Sequence, residues 1–174
     1  MSPDADLRRW IRDVPDFPKP GIQFKDITPL LAEPDAFGAA IDRLAEIYSA
    51  ARIDTIAAAE ARGFIFGAPL ALKLHAGFVP IRKPNKLPYA TVAREYQLEY
   101  GIDRLEVHTD AFAPGRRVLL LDDVLATGGT MRACCDLVVQ TGAELIGCAF
   151  ILELSFLNGR AQLAPIDVTS LLIY

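Results

Sequence analysis

Residues 118–131 read Val-Leu-Leu-Leu-Asp-Asp-Val-Leu-Ala-Thr-Gly-Gly-Thr-Met, and no other stretch of the 174-residue chain constrains its fold so strongly. Four apolar residues, flanked by Arg116 and Arg117 before and acids after, are too short a run for a helix and predict a buried strand. Asp122 and Asp123 then stand at the strand's carboxyl end, where open α/β sheets bind ligands. Ala126, Thr127, Gly128, Gly129 and Thr130 follow, all small, so the backbone can wrap closely around an anion. Met131, Cys134 or Cys135, and Val138 recur at helical spacing. The turn therefore opens a helix whose free N–H groups favour phosphate. Two carboxylates beside a phosphate cradle make electrostatic sense if they accept hydrogen bonds from a vicinal diol. A ribose 5-phosphate satisfies both halves.

Two other readings of this run are weaker. A hydrophobic strand ending in acids also looks like the magnesium-binding strand of a P-loop NTPase, but that enzyme needs G-x-x-x-x-G-K-[ST], and the chain has no Gly-Lys dipeptide. A purely structural strand-turn-helix explains the glycines and gives no reason for adjacent acids.

The length fits one domain with a substantial core. Hydrophobic content of 52% and a mean hydropathy of +0.25 are high for a small monomer, so a symmetric dimer is expected. The longest charge-free apolar run, Gly63 to Leu72, is half the length a bilayer span requires, and no signal peptide is visible, so no membrane role is expected. A net charge of −4 argues against a nucleic-acid partner. Cys134, Cys135 and Cys148 suit neither a disulfide framework nor a zinc site and read as reduced core residues of a cytoplasmic protein.

Leu7 to Ile11 suggest a short amphipathic helix, and Pro15, Pro18 and Pro20 force an extended path to Gly21. Pro34 can open a helix with Phe37, Ile41, Leu44 and Tyr48 on its apolar face. Strands are expected at Ile53–Ala59, around Phe78–Ile81, at Val118–Leu121 and about Leu145–Leu152, with a helix from about Phe64 to Leu74. This alternation predicts an α/β fold with a mostly parallel sheet and right-handed crossovers. Residues 82–89 break the rhythm with a polar, proline-punctuated segment leading into Tyr96–Gly101, which could pair with Leu105–Val107 as a two-stranded excursion. Such an insertion in a compact domain is commonly a lid or disorder.

The Asp-Asp-Val-Leu-Ala-Thr-Gly-Gly-Thr run resembles the phosphoribosyl pyrophosphate signature of type I phosphoribosyltransferases, in the form carried by the adenine-using branch of that family. Further segments extend the resemblance to nearly the whole chain. It implies the type I phosphoribosyltransferase fold over residues 1–174. That fold has a mostly parallel central sheet flanked by helices, a small N-terminal hood over about 1–34 and a mobile lid over about 83–101. The implied reaction is displacement of pyrophosphate at C1 of the ribose by N9 of adenine, giving AMP.

The resemblance also distributes roles. Asp122, Asp123 and Ala126–Thr130 would hold ribose and 5-phosphate. The turn Glu60-Ala61-Arg62-Gly63, ending a second strand, would bind pyrophosphate through Ala61 and Arg62, and in the family the peptide before the arginine is often cis. Arg82, Lys83 and Lys86 would add cations there, although a basic loop is ordinarily just solvated. The proline-rich stretch Phe17–Leu30 resembles the family's adenine-binding hood; by itself it reads as a covering arm. Phe24 and Val124 would sandwich the base and backbone groups near Gln23 would read its edge. Lys25 stands where many relatives carry arginine, keeping the charge but losing the planar fork. Glu99, otherwise an exposed strand residue, would exchange a proton with N7, and Tyr100 would close over the site. Magnesium is the implied cofactor, held mainly by substrate oxygens and water rather than by a protein cage. Rival readings are a phosphoribosyltransferase for another purine or orotate, a non-catalytic sensor of phosphoribosyl pyrophosphate, and a generic nucleotide-binding module.

Overall fold

The computed structural model describes residues 7–97 and 102–174. In chain order these form β1 (Arg12–Pro15), β2 (Gln23–Asp26), α1 (Thr28–Ala32), α2 (Pro34–Tyr48), β3 (Thr55–Ala59), α3 (Gly63–Lys73), β4 (Gly77–Ile81), β5 (Thr91–Gln97), β6 (Ile102–His108), β7 (Arg117–Leu125), α4 (Gly129–Gln140), β8 (Glu144–Glu153), a 3-10 turn (Ser155–Leu157), α5 (Gly159–Leu163) and β9 (Val168–Ile173). The central sheet runs β4-β3-β7-β8-β9, and all its neighbours are parallel.

Burial on both faces explains the unbroken apolar runs. Leu119 and Leu121 of β7 join Ile56 and Ile151 beneath α2 and α3, while Val118 and Leu120 join Ala57, Cys148 and Phe150 beneath α4. Successive strand residues point to opposite faces, so a strand covered on both sides has no polar position to alternate with.

Helices α2, α3 and α4 stand where expected, α3 beginning and ending one residue early, whereas the short α1 and α5 were not foreseen. Pro34 occupies the first turn of α2, whose Ala40, Ile41, Leu44 and Tyr48 are buried. In α3, Gly63 and Gly67 lie one turn apart against Ala58, and a Cβ on Gly67 would come within 2.7 Å of the Phe78 ring. Small residues on helix and strand thus let α3 lie directly on β3.

Three features of the sheets differ from expectation. Strand β7 does not stop before the acids but carries Asp122 to Leu125 onward, because β8 continues beside it in pairs such as Asp122↔Phe150 and Leu125↔Glu153. Strand β9 was not foreseen; its half-buried residues form the sheet edge. The excursion is an antiparallel β5–β6 ribbon that begins at Thr91, well before Tyr96, and leaves the central sheet. It is fixed to β4's exit by reciprocal backbone bonds between Arg82 and Glu106 and to α4 by the Arg94–Asp136 ion pair.

Within the expected Leu7–Ile11 helix, Leu7 and Arg8 are helical and a turn follows, with Trp10 and Ile11 N–H groups bonded to the carbonyls of Leu7 and Arg8. The β1–β2 hairpin that follows pairs Val14 with Phe24. Arg8 donates to the Ile173 carbonyl at 2.7 Å, seating this segment on the last strand. No helix among the described residues is long and apolar enough to cross a membrane.

Candidate active site

The sheet order opens a crevice between β3 and β7. From β3 the chain goes on to β4 at one side, and from β7 it goes on to β8 at the other, so strand order reverses there, the place where open α/β sheets bind ligands. Strand β3 pairs with β7 only as far as Ala58↔Leu121 and then turns away at Glu60. The main chain from Asp122 to Leu125 is therefore bordered by β8 alone, and a ligand can occupy the vacated side.

Two adjoining cavities fill this crevice. The larger, about 350 Å³, is walled by Gln23, Phe24, Lys25, Arg62, Asp122, Asp123, Val124 and the loop Ala126–Thr130, among others. The smaller, about 190 Å³, is walled by Glu60, Ala61, Arg62, Lys83, Tyr96, Leu105, Asp122, Asp123 and Thr130. Arg62, both aspartates and Thr130 belong to both.

The loop is shaped for an anion. Gly128 takes φ +88°, which a side chain would strain, and α4 starts directly after it. The first four N–H groups of a helix lack intrahelical partners, and the helix dipole adds positive potential there. From behind, the loop is held by the start of α5: a Cβ on Gly128 would meet the Gly159 carbonyl at 2.5 Å, and one on Gly159 would meet the Ala126 carbonyl at 2.1 Å. Gly159 is a site-shaping residue that the sequence reading missed, although Asn158-Gly159 is a recognisable turn signal.

The paired acids are unequal. Asp123 is 3% exposed, and among the described residues its Oδ2 has no aligned hydrogen-bond donor although Arg62 Nε stands 2.8 Å away. That oxygen keeps capacity for a ligand hydroxyl. Asp122 Oδ1 accepts the Asp123 N–H at 2.9 Å. Burial, and then the charge of Asp123, push the Asp122 carboxyl well up. Burial raises Asp123 as well, against the opposing charge of Arg62. Gly63 belongs to this arrangement, since a Cβ there would meet Asp122 Oδ1 and the Leu121 carbonyl at 3.0 Å each.

At the opposite end, the Glu60–Ala61 peptide is cis. Glu60 Oε2 accepts from Arg82 Nε at 3.0 Å and from the Lys83 N–H at 2.9 Å. Arg82 thus turns its guanidinium toward Glu60 and, through Nη1, to the Lys86 carbonyl at 3.1 Å. Arg82 and Lys86 are not among the walls of either cavity, whereas Lys83 and Arg62 are. Lys25 walls the larger cavity, but its ammonium pairs with Asp13 and lies 4.0 Å from the centre of the Tyr174 ring. Phe24 and Val124 share the larger cavity, with Phe17 edge-on to Phe24 at 5.2 Å. Glu99 and Tyr100 lie outside the described residues. Tyr96, singled out beforehand only as part of the excursion, walls the smaller cavity and contacts Thr130 Oγ1 at 3.4 Å.

Comparison with known proteins agrees with this geometry. The family model described as phosphoribosyl transferase domain matches residues 30–168. An adenine phosphoribosyltransferase from Maridesulfovibrio salexigens is 61% identical over 95% of this chain and 98% of its own. The crystal structure of adenine phosphoribosyltransferase from Thermoanaerobacter pseudethanolicus superposes with a TM-score of 0.95 at 50% identity, covering 98% of this chain and 99% of that one. That of the Saccharomyces cerevisiae enzyme, complexed with an imino-altritol bisphosphate and adenine, gives 0.92 at 39% identity over 98% of both chains. The fold is that of the type I phosphoribosyltransferases, and the chain belongs to the adenine phosphoribosyltransferase family.

Proposed function

We propose that the protein joins N9 of adenine to C1 of the ribose of phosphoribosyl pyrophosphate, giving AMP and pyrophosphate, as purine salvage requires. One observation carries the reading: a phosphate cradle at the start of α4, an under-bonded Asp123 oxygen and the Phe24–Val124 pair wall one cavity. Phosphate, sugar and base are the three parts of AMP that such walls would serve.

The 5-phosphate rests on the N–H groups of Ala126–Thr130, and Asp122 and Asp123 accept the ribose hydroxyls. Phe24 and Val124 cover the two faces of the base, while backbone groups near Gln23 read its polar edge. Lys25, with its charge on Asp13, contributes its aliphatic stem to this wall. Pyrophosphate occupies the smaller cavity against Ala61, Arg62 and Lys83, with Arg82 and Lys86 supporting from outside. Negative charge grows on this leaving group as the C1–oxygen bond breaks, and cations already in place stabilise it without reorganising. Glu99 moves the proton at N7, and Tyr100 with the rest of the lid, about 83–101, excludes water from the cationic sugar.

Magnesium fits this site without a protein cage, since it gives up water reluctantly and takes few carboxylates besides substrate oxygens. Asp123, with its open oxygen, is the side chain that would meet the ion's water shell. When bound, the ion neutralises pyrophosphate charge.

The chain acts as one domain, with residues 1–34 as hood. Ile65 and Leu72, two turns apart on α3, are 40% and 79% exposed and mark the face on which a homodimer would form. Three buried, unbridged thiols suit the cytoplasm.

The deciding assay supplies magnesium, phosphoribosyl pyrophosphate and, in turn, adenine, guanine, hypoxanthine, xanthine and orotate. AMP from adenine alone is expected. Turnover of a different base would overturn the reading of the hood, and tight binding without any turnover would favour a sensor.

A further inference from the structure

Three cations in or beside the smaller cavity each rest on a carboxylate: Arg62 on Asp123, Arg82 on Glu60 and Lys83 on Asp103. The first two carboxylates belong to the crevice itself. Asp103 does not. It lies on β6 in the ribbon, directly opposite Tyr96, and has no ladder contact with the central sheet. Its Oδ2 accepts from both Lys83 Nζ and the Tyr96 hydroxyl, the latter at 3.0 Å, and its Oδ1 accepts the Arg104 N–H at 2.8 Å. The Tyr96 oxygen in turn accepts from Thr130 Oγ1 at 3.4 Å. A continuous line of contacts therefore runs from the lysine after β4, through the ribbon, to the first turn of α4.

Lys83, Tyr96 and Thr130 all wall the smaller cavity, while Asp103 stands behind them. Two hydrogen-bond donors that could serve an anion in the cavity, an ammonium and a phenol, thus meet on one carboxylate oxygen. The Lys83–Asp103 hydrogen bond raises the Lys83 pKa and lowers that of Asp103, so both are charged at neutral pH. Lys83 is about half exposed, so the pair is screened and exchangeable rather than locked.

We propose that Asp103 is a positioning residue that stands in for pyrophosphate. It gathers Lys83 and Tyr96 and yields both donors to an incoming anion. Asp103 then competes with pyrophosphate for the same donors, which lowers pyrophosphate affinity and eases its departure after transfer. Tyr96 becomes a pyrophosphate ligand through its hydroxyl. The inference rests on the reading of Lys83 as a pyrophosphate-binding cation.

The test is calorimetric titration of the full-length protein with inorganic pyrophosphate at fixed magnesium, and separately with AMP. Asp103→Asn keeps one acceptor oxygen, enough for either Tyr96 or the Arg104 N–H, and removes the competing charge. Pyrophosphate should bind about two- to fivefold more tightly, the range expected for an exposed ion pair, with AMP affinity unchanged. The gain should vanish in the Lys83→Ala background. Tyr96→Phe should weaken pyrophosphate alone. Asp103→Ala, read the same way, guards against asparagine retaining the lysine through a neutral hydrogen bond. Damage to the fold would weaken both ligands, so tighter binding of one is not a structural artefact. Unchanged or weaker pyrophosphate binding in both Asp103 variants, with AMP affinity preserved, overturns the stand-in role. If Lys83→Ala alone binds pyrophosphate as well as the parent, the reading of Lys83 fails first, and the proposal falls with it.

Discussion

Asp123 carries the largest expectation at the scale of single residues. Its buried Oδ2 faces Arg62 and, among the described residues, receives no aligned hydrogen bond, so it retains capacity for a sugar hydroxyl. Asp123→Asn replaces an acceptor with a donor at nearly constant volume. We expect folded protein with kcat/KM reduced about 10²–10³-fold, the usual scale for losing one well-placed electrostatic contact; unchanged kinetics would remove it from the sugar site. Asp122 allows a test by pH. Its pKa in the fold is raised above the unfolded value of about 3.9, so above that pH the native state holds more protons than the unfolded state. Its contribution to stability therefore falls as pH rises through the window between the two values. Asp122→Asn should melt higher than the parent, by a margin that grows from pH 4 to pH 8, while activity drops. A pH-independent margin would contradict the assignment. Glu99→Gln should lower kcat about 10²–10⁴-fold, as removal of a general acid–base does, with little effect on the KM for phosphoribosyl pyrophosphate.

Between elements, the site depends on close approaches that only glycine permits. The start of α3 meets Asp122 at Gly63, and the start of α5 meets the Ala126–Thr130 loop, the proposed phosphate cradle, at Gly159. In each case a new Cβ would press on a backbone carbonyl, which cannot rotate away. Gly63→Ala should cost about 1–3 kcal/mol in denaturant unfolding, the common range for overpacking. Gly159→Ala faces the tighter contact and should raise the KM for phosphoribosyl pyrophosphate more than that for adenine, because the shift falls on the phosphate loop. Equal effects on both substrates would indicate general loosening instead. Gly63 was legible as part of a turn; its contact with Asp122 was not, since 59 residues separate the two in sequence.

At the scale of the whole molecule, apolar surface on α3 bears on assembly. Leu72 is 79% exposed, unusual for a leucine in a helix with so apolar a composition. Leu72→Asp should shift sedimentation equilibrium from dimer toward monomer; a parent protein that sediments as a monomer would refute the proposed interface.

The sequence by itself determined the local grammar. Burial on both faces made β3, β7 and β8 apolar without alternation, Pro34 set the start of α2, and the small residues after Asp123 announced a turn opening a helix. These follow from steric and solvation rules that act within a few residues. Tertiary structure alone decided that β7 runs on through its acids, because that depends on β8 being longer than β3 beside it. It also decided that β9 completes the edge, that Lys25 turns to Asp13 and Tyr174, and that Lys83 meets Asp103. Charges distant in sequence are interchangeable until the fold fixes their distances, and electrostatic energy depends on those distances.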